Sequence, residues 1–247
     1  MSTGGDANTY VNGPRAHVLV AVKDLRAAKT RLSGFVGGSV RTDLVLSMLH
    51  DTLSVVRSVD TVAGITVVTP DDVVAELARS TGADAYPDPA PPSAHRDGVE
   101  MRPDEPEVGL NSALSAAADH VRRLDPSTDL VALQADLPSI RVHELTTALA
   151  AAREHSRSMI VDRHGTGTAA LFACDSDADL GPSFGPSSAR RHLESGARPL
   201  TGDWPGLRTD VDTESDLAAA TELGVGPSTA EVLAGLALRT GSANFRA

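Results

Sequence analysis

Lysine is scarce in this chain: of 22 Lys plus Arg only Lys23 and Lys29 are lysines, and both fall in Val-Lys-Asp-Leu-Arg-Ala-Ala-Lys-Thr-Arg-Leu (22–32). With Arg26 and Arg31 they place four cations within nine residues, just after an apolar run. A loop leaving a strand with that charge can hold a triphosphate and stabilise a pyrophosphate leaving group, although a solvated basic loop has the same composition. A second candidate is Asp136 in Leu-Gln-Ala-Asp-Leu-Pro (133–138), where a buried strand ends in a carboxylate and proline stops the ladder. Asp136 could equally cap the next helix. The third is Asp210-Val211-Asp212-Thr213: in extended backbone Asp210 and Asp212 share a face, so one of them could complete a metal site with Asp136. Magnesium commonly takes one or two protein carboxylates and fills its other positions with water and phosphate oxygens, so two acids suffice. The plainer alternative is that Asp212 or Thr213 only starts a helix over residues 214–223.

Two loops add hydroxyls and glycines: Arg163-His164-Gly165-Thr166-Gly167-Thr168 after a strand, and Phe184-Gly185-Pro186-Ser187-Ser188 before a helix starting near Ala189. Such loops offer close backbone approach and hydroxyl donors to a small phosphate or carboxylate, while turn formation alone would also explain them. Residues 165–170 mimic the dinucleotide fingerprint G-x-G-x-x-A, but 169–173 reads as a strand where the fingerprint needs a helix. No lysine follows a glycine to make a P-loop. Arg190, Arg191 and His192 are expected on a helix, where solvated positions are commoner than substrate contacts. The other histidines show no metal spacing, and Cys174, the single cysteine, reads as an inert half-buried thiol.

These residues need a scaffold that brings distant segments to one edge. Nearly unbroken apolar runs at 17–22, 65–69, 130–134 and 159–162 read as strands covered on both faces, with helices at 40–56, 71–80, 110–124 and 142–154. The alternation predicts an α/β fold with a mostly parallel sheet, whose ligands bind at the carboxyl edge of the strands. Pro70 suits the first turn of a helix and Gly82 its end. Six prolines within residues 87–106 mark a surface excursion, and 228–238 reads as a terminal amphipathic helix. Residues 1–15 are expected to be a flexible tail, 16–226 one catalytic domain, and 227–247 a C-terminal helix and tail. The formal net charge of −11 disfavours nucleic acid or an anionic membrane as partner, and 3% aromatic residues are too few for base-stacking platforms. A lone cysteine and the lack of an apolar leader or span point to the cytoplasm. A homo-oligomer is compatible with the sequence but not specified by it.

Taken in order, Val-Lys-x-Leu-x-x-Ala-Lys-Thr-Arg-Leu (22–32), Gly-Leu-Asn-Ser-Ala-Leu (109–114), Ala-Asp-Leu-Pro (135–138), Asp-Arg-x-Gly-Thr-Gly-Thr (162–168), Phe-Gly-Pro-x-Ser (184–188) and Asp-Val-Asp-Thr (210–213) resemble one family. It is the 2-phospholactate or phosphoenolpyruvate guanylyltransferases of deazaflavin coenzyme F-420 biosynthesis, and the set is more specific than any one motif. The resemblance implies a single-domain nucleotidyltransferase fold like that of nucleotide-diphospho-sugar transferases, with GTP as donor, Mg2+ as cofactor and a phosphorylated three-carbon acid as acceptor. It further implies Thr168, Gly185 and Ser188 at phosphoenolpyruvate, Asp136 and Asp212 on the metal, and Lys23, Lys29 and Arg31 on the triphosphate. Asn111, on the loop opening a helix, becomes the expected base or ribose contact. Twenty arginines beside two lysines, with abundant alanine, lean to a high-GC bacterial source and hence to phosphoenolpyruvate over 2-phospho-L-lactate. Two other readings stay open: a molybdopterin or sugar-phosphate nucleotidyltransferase, and a non-catalytic nucleotide-binding regulator.

Overall fold

The computed structural model describes residues 15–23, 25, 38–87 and 106–240. Seven strands form one sheet: β1 (Ala16–Ala21), β2 (Val62–Thr69), β3 (Asp84–Pro87), β4 (Asp129–Leu133), β5 (Arg157–Val161), β6 (Thr168–Ala173) and β7 (Arg198–Pro199). Helices α1 (Gly38–Arg57), α2 (Asp72–Ser80), α3 (Pro106–Leu124), α4 (Val142–Ala152), α5 (Ser188–Glu194), α6 (Glu214–Leu223) and α7 (Pro227–Thr240) flank it. The strand order is β3-β2-β1-β4-β6-β5-β7, parallel throughout except for β6, which runs antiparallel between β4 and β5.

Alternation within the central strands explains why they are apolar on both faces. Val18 and Val20 of β1, with Val131 and Leu133 of β4, face one core with Leu44, Met48, Leu49 and Leu53 of α1 and Leu145 and Leu149 of α4. Leu19, Leu130 and Ala132 face a second core, with Ala113, Leu114, Ala117 and Val121 of α3. The sheet is therefore the middle of three layers, and each inner strand residue leaves water on one side or the other.

The expected strands and helices are all present, with instructive shifts at their ends. Pro70 lies outside α2: Asp71 is the cap, its side chain accepting from Val73 and Val74 N–H, so the helix starts at Asp72. Gly82 follows the helix end with φ of 80°, a left-handed turn that glycine takes without strain. β3 and β7 were not anticipated, because both are short, largely solvent-facing edge strands without an apolar run.

Adjacent residues of α1 hold two other parts of the chain. Asp51, buried, accepts from Ser228 N–H (3.0 Å) and Thr229 N–H (2.8 Å), capping α7. Thr52, also buried, accepts from Leu137 N–H at 3.2 Å, one residue beyond Asp136. Gly226 N–H donates to Pro138 C=O at 2.7 Å, so the approach to α7 braces the same turn. Among the described residues no helix is long and apolar enough to cross a membrane.

Candidate active site

Strand register brings the basic and acidic candidates to one edge. Val20 of β1 pairs with Leu133 of β4, and Lys23 and Asp136 each stand three residues further on, past the carboxyl ends of neighbouring parallel strands. That is where open α/β sheets bind ligands. Lys23 is exposed, and the segment after it is anchored at buried Leu25, whose N–H donates to Asp71 Oδ2 at 3.2 Å. Lys29, Arg31 and Arg26 lie outside the described residues, as do most of the proline-rich excursion and the first 14 residues.

The acids from distant segments do meet. Val211 N–H donates to Asp136 C=O at 3.1 Å, setting Asp210 and Asp212 on either side of that bond. Asp210 is the telling member: its Oδ1 is buried and has no hydrogen-bond partner among the described residues. Burial, then the charge of Asp136, then those of Asp212 and Asp162, push its carboxyl up to about 7. A divalent cation would relieve this crowding. Among the described residues no three His, Cys, Asp or Glu side chains are arranged to hold a metal alone, and magnesium does not require that.

Asp216, which the sequence reading passed over, ties this segment to the glycine-threonine loop. Its Oδ2 accepts from Thr213 Oγ1 (2.7 Å), Thr213 N–H (2.8 Å) and Asp212 N–H (3.2 Å). Its Oδ1 meets Arg163 Nη2 at 2.9 Å and His164 Nε2 at 2.8 Å. Burial alone would raise this carboxyl, but hydrogen bonds from Thr213, His164 and Arg163 outweigh it and bring it down to about 2. Thr213 does cap α6 in a capping box with Asp216, so the helix-start alternative holds beside the cluster of acids. The box, Thr-x-x-Asp, was the visible signal for Asp216.

The loop after β5 is folded by its first residue. Asp162 accepts from Thr166 N–H (3.0 Å) and Gly167 N–H (2.8 Å), so closely that a Cβ at Gly167 would sit 2.4 Å from the carboxylate. Beyond this turn Thr168 opens β6, and its buried hydroxyl meets His192 Nδ1 at 2.9 Å. His192 was expected among solvated helix residues; it is instead fully buried, because α5 packs against β5 and turns the ring toward Thr168 at the start of β6. Its other nitrogen accepts from Ser183 N–H at 2.8 Å, and its ring meets Phe184 edge-on at 5.2 Å.

Phe184 opens the second loop, and both ends of the Asn111 amide grip its backbone: Nδ2 donates to the carbonyl at 3.1 Å and Oδ1 accepts from the N–H at 2.8 Å. Asn111 does not sit on the loop opening a helix. α3 starts four residues before the expected Leu110, at Pro106, whose missing N–H costs nothing in a first turn, so Asn111 lies in the second turn. Gly185 has φ of 119° and Ser187 a left-handed φ of 58°, the only such non-glycine among the described residues. Ala189 N–H donates to Thr166 C=O at 3.1 Å, locking one loop to the other. Thr168, Gly185 and buried Ser188 thus belong to one interlocked unit, and Gln134 Nε2, donating to Thr168 C=O at 3.3 Å, links that unit to the Asp136 strand.

Comparison with known proteins agrees with this geometry. The chain is 66% identical over 222 residues, covering 89% of its length and 93% of the relative's, to phosphoenolpyruvate guanylyltransferase 1 of Rhodococcus jostii. It is 64% identical to the phosphoenolpyruvate guanylyltransferase of Rhodococcus opacus, covering 89% of this chain and 90% of that one. Among solved structures, a protein assigned as a nucleotide-diphospho-sugar transferase from Desulfovibrio desulfuricans aligns with a TM-score of 0.61 at 16% identity, over 93% of this chain and 98% of that one. A cytidylyltransferase from Leptospira borgpetersenii aligns with a TM-score of 0.50 at 13% identity, over 93% and 96%. At such identities these two speak for the fold alone, a single-domain nucleotide-diphospho-sugar transferase-like α/β sandwich. The model of the CofC-like guanylyl transferases matches residues 16–242, and the chain belongs to that family of nucleotidyltransferases.

Proposed function

We propose that this enzyme transfers GMP from GTP to phosphoenolpyruvate, giving enolpyruvoyl-2-diphospho-5'-guanosine and diphosphate, in coenzyme F-420 biosynthesis in the cytoplasm. The observation that carries the reading is the meeting of Asp136 with the Asp210–Asp212 segment at the strand edge, beside the interlocked loops that hold Thr168, Gly185 and Ser188.

The acceptor phosphate is already anionic and attacks the α-phosphorus of GTP in line, so the protein needs no general base and works by positioning and charge neutralisation. Lys23, with Lys29 and Arg31, holds the triphosphate and offsets charge on the departing pyrophosphate. Thr168, Gly185 and Ser188 orient the acceptor by its carboxylate and phosphate. Asn111, through its grip on Phe184, keeps the acceptor loop in register and stands beside the nucleotide. Asp136 and Asp212, with Asp210 completing the acidic set, would hold Mg2+. When bound there, the metal would supply positive charge to offset that of the reacting phosphates. Residues 16–226 form the catalytic unit and 227–247 its C-terminal extension.

Pyrophosphate release decides the matter. It should require both GTP and phosphoenolpyruvate, with ATP, CTP and UTP as poor donors. Equal rates with 2-phospho-L-lactate would move the acceptor, turnover with sugar phosphates would favour the wider nucleotidyltransferase reading, and no turnover with any acceptor would sink the enzyme.

A further inference from the structure

We infer that His192 is a positioning residue that turns the Thr168 hydroxyl into a dedicated donor toward the anionic acceptor. The inference rests on the reading of Thr168 as an acceptor contact.

The steps are those of hydrogen-bond polarity. The backbone N–H of Ser183 can only donate, so the ring nitrogen facing it at 2.8 Å must carry a lone pair. A neutral imidazole has one N–H, which therefore lies on the opposite nitrogen, Nδ1, and points at Thr168 Oγ1, 2.9 Å away. Turning the ring over would put a carbon where each nitrogen now stands and break both bonds, so the two partners fix the ring's orientation. The Thr168 oxygen thus accepts from the ring, and no other bond of this hydroxyl is made among the described residues. Its hydrogen is left for a ligand. In a protein of net charge −11, a hydroxyl obliged to donate suits an acceptor carrying phosphate and carboxylate, and it rejects a ligand that must itself donate at that point.

The surroundings keep the ring in this role. Phe184 packs edge-on at 5.2 Å, and Asn111 holds Phe184 by two hydrogen bonds, so the histidine neither rotates nor swings out without breaking the second loop. The ring is completely buried.

The test is steady-state pyrophosphate release by the full chain, with each substrate varied against saturating partner. T168V should raise the KM for phosphoenolpyruvate by roughly tenfold or more, the usual worth of a hydrogen bond to a charged group, and leave the KM for GTP unchanged. T168S should stay near wild type. H192Q can place its amide oxygen opposite Ser183 but has no N–H at the Nδ1 position facing Thr168, so it should raise the same KM by a similar factor, and T168V/H192Q should be no worse than T168V alone. Independent, multiplying losses, or equal losses for both substrates, would overturn the inference by reducing His192 to packing. A T168V enzyme with unchanged acceptor KM would instead remove the acceptor reading beneath it. One measurement needs no variant: nitrogen-15 NMR of the wild-type imidazole should show Nδ1 protonated and Nε2 bare near neutral pH, and the opposite tautomer would overturn the inference even if every substituted chain failed to fold.

Discussion

Asp136, Asp210 and Asp212 crowd carboxylates against one another at the strand edge, and Asp210 keeps a buried oxygen with no hydrogen-bond partner among the described residues. Beside them, the polar groups around Thr168 are closely matched: His192 is bonded at both nitrogens, Asn111 at both ends of its amide. The first region carries buried negative charge that a cation would offset. The second is complete before any ligand arrives. On the proposed function the difference separates two tasks: charge has to be neutralised as the phosphates react, whereas the acceptor needs a rigid seat.

Substitutions should tell the regions apart. The largest effect is expected for D136N, with turnover in the pyrophosphate assay down by at least about 10²-fold while the thermal midpoint hardly moves. Near-normal turnover would contradict the metal assignment. Next is D216N, at the join between the regions: losing charge-assisted bonds from Arg163 and His164 should cost about 2 kcal/mol in denaturant unfolding and also lower turnover. A loss of stability with turnover unchanged would show the two regions to be independent. D210N should do the reverse of an ordinary core lesion, raising the thermal midpoint of the cation-free protein by a few degrees at pH 7.5 while reducing the further gain on adding Mg2+. The smallest and slowest effect comes from pH. Burial, with the charges of Arg157 and Arg191, pushes His192 down to about 4 from its ordinary 6.5. The unfolded chain therefore binds a proton that the fold refuses between those values. Its contribution to stability is whole above about 6.5 and is lost as pH falls toward 4, and thermal scans of H192Q should lack that part of the decline.

The central strands were legible because layers cover them on both sides, which leaves continuous apolar runs such as Val18 to Val20 that no other environment favours. The direction of β6 was not legible. Ala169 to Ala173 reads as a strand either way, and its reversal is set by the tight turn that Asp162 folds. Edge strands β3 and β7 carry too little burial to leave a pattern. Among the candidate functional residues, Asp136 and the pair Asp210 and Asp212 stood out because a carboxylate at the end of a buried strand, or two acids two apart, is chemically conspicuous, and of that pair Asp212 was the expected metal ligand. His192 was read as a solvated helix residue and Asp216 passed over, because their bonds to Thr168 and Arg163, 24 and 53 positions away, are not recorded in local spacing, which shows only the capping box of Asp216.

Asp51 and Thr52 are neighbours on one helix, yet one caps the last helix of the fold and the other braces the turn of Asp136. During synthesis the strands from β1 to β6 are made well before α7. The turn of Asp136 therefore waits on α7 for its full bracing, and a chain that ends ahead of Pro227 should hold the central strands around an Asp136 turn that is only partly braced.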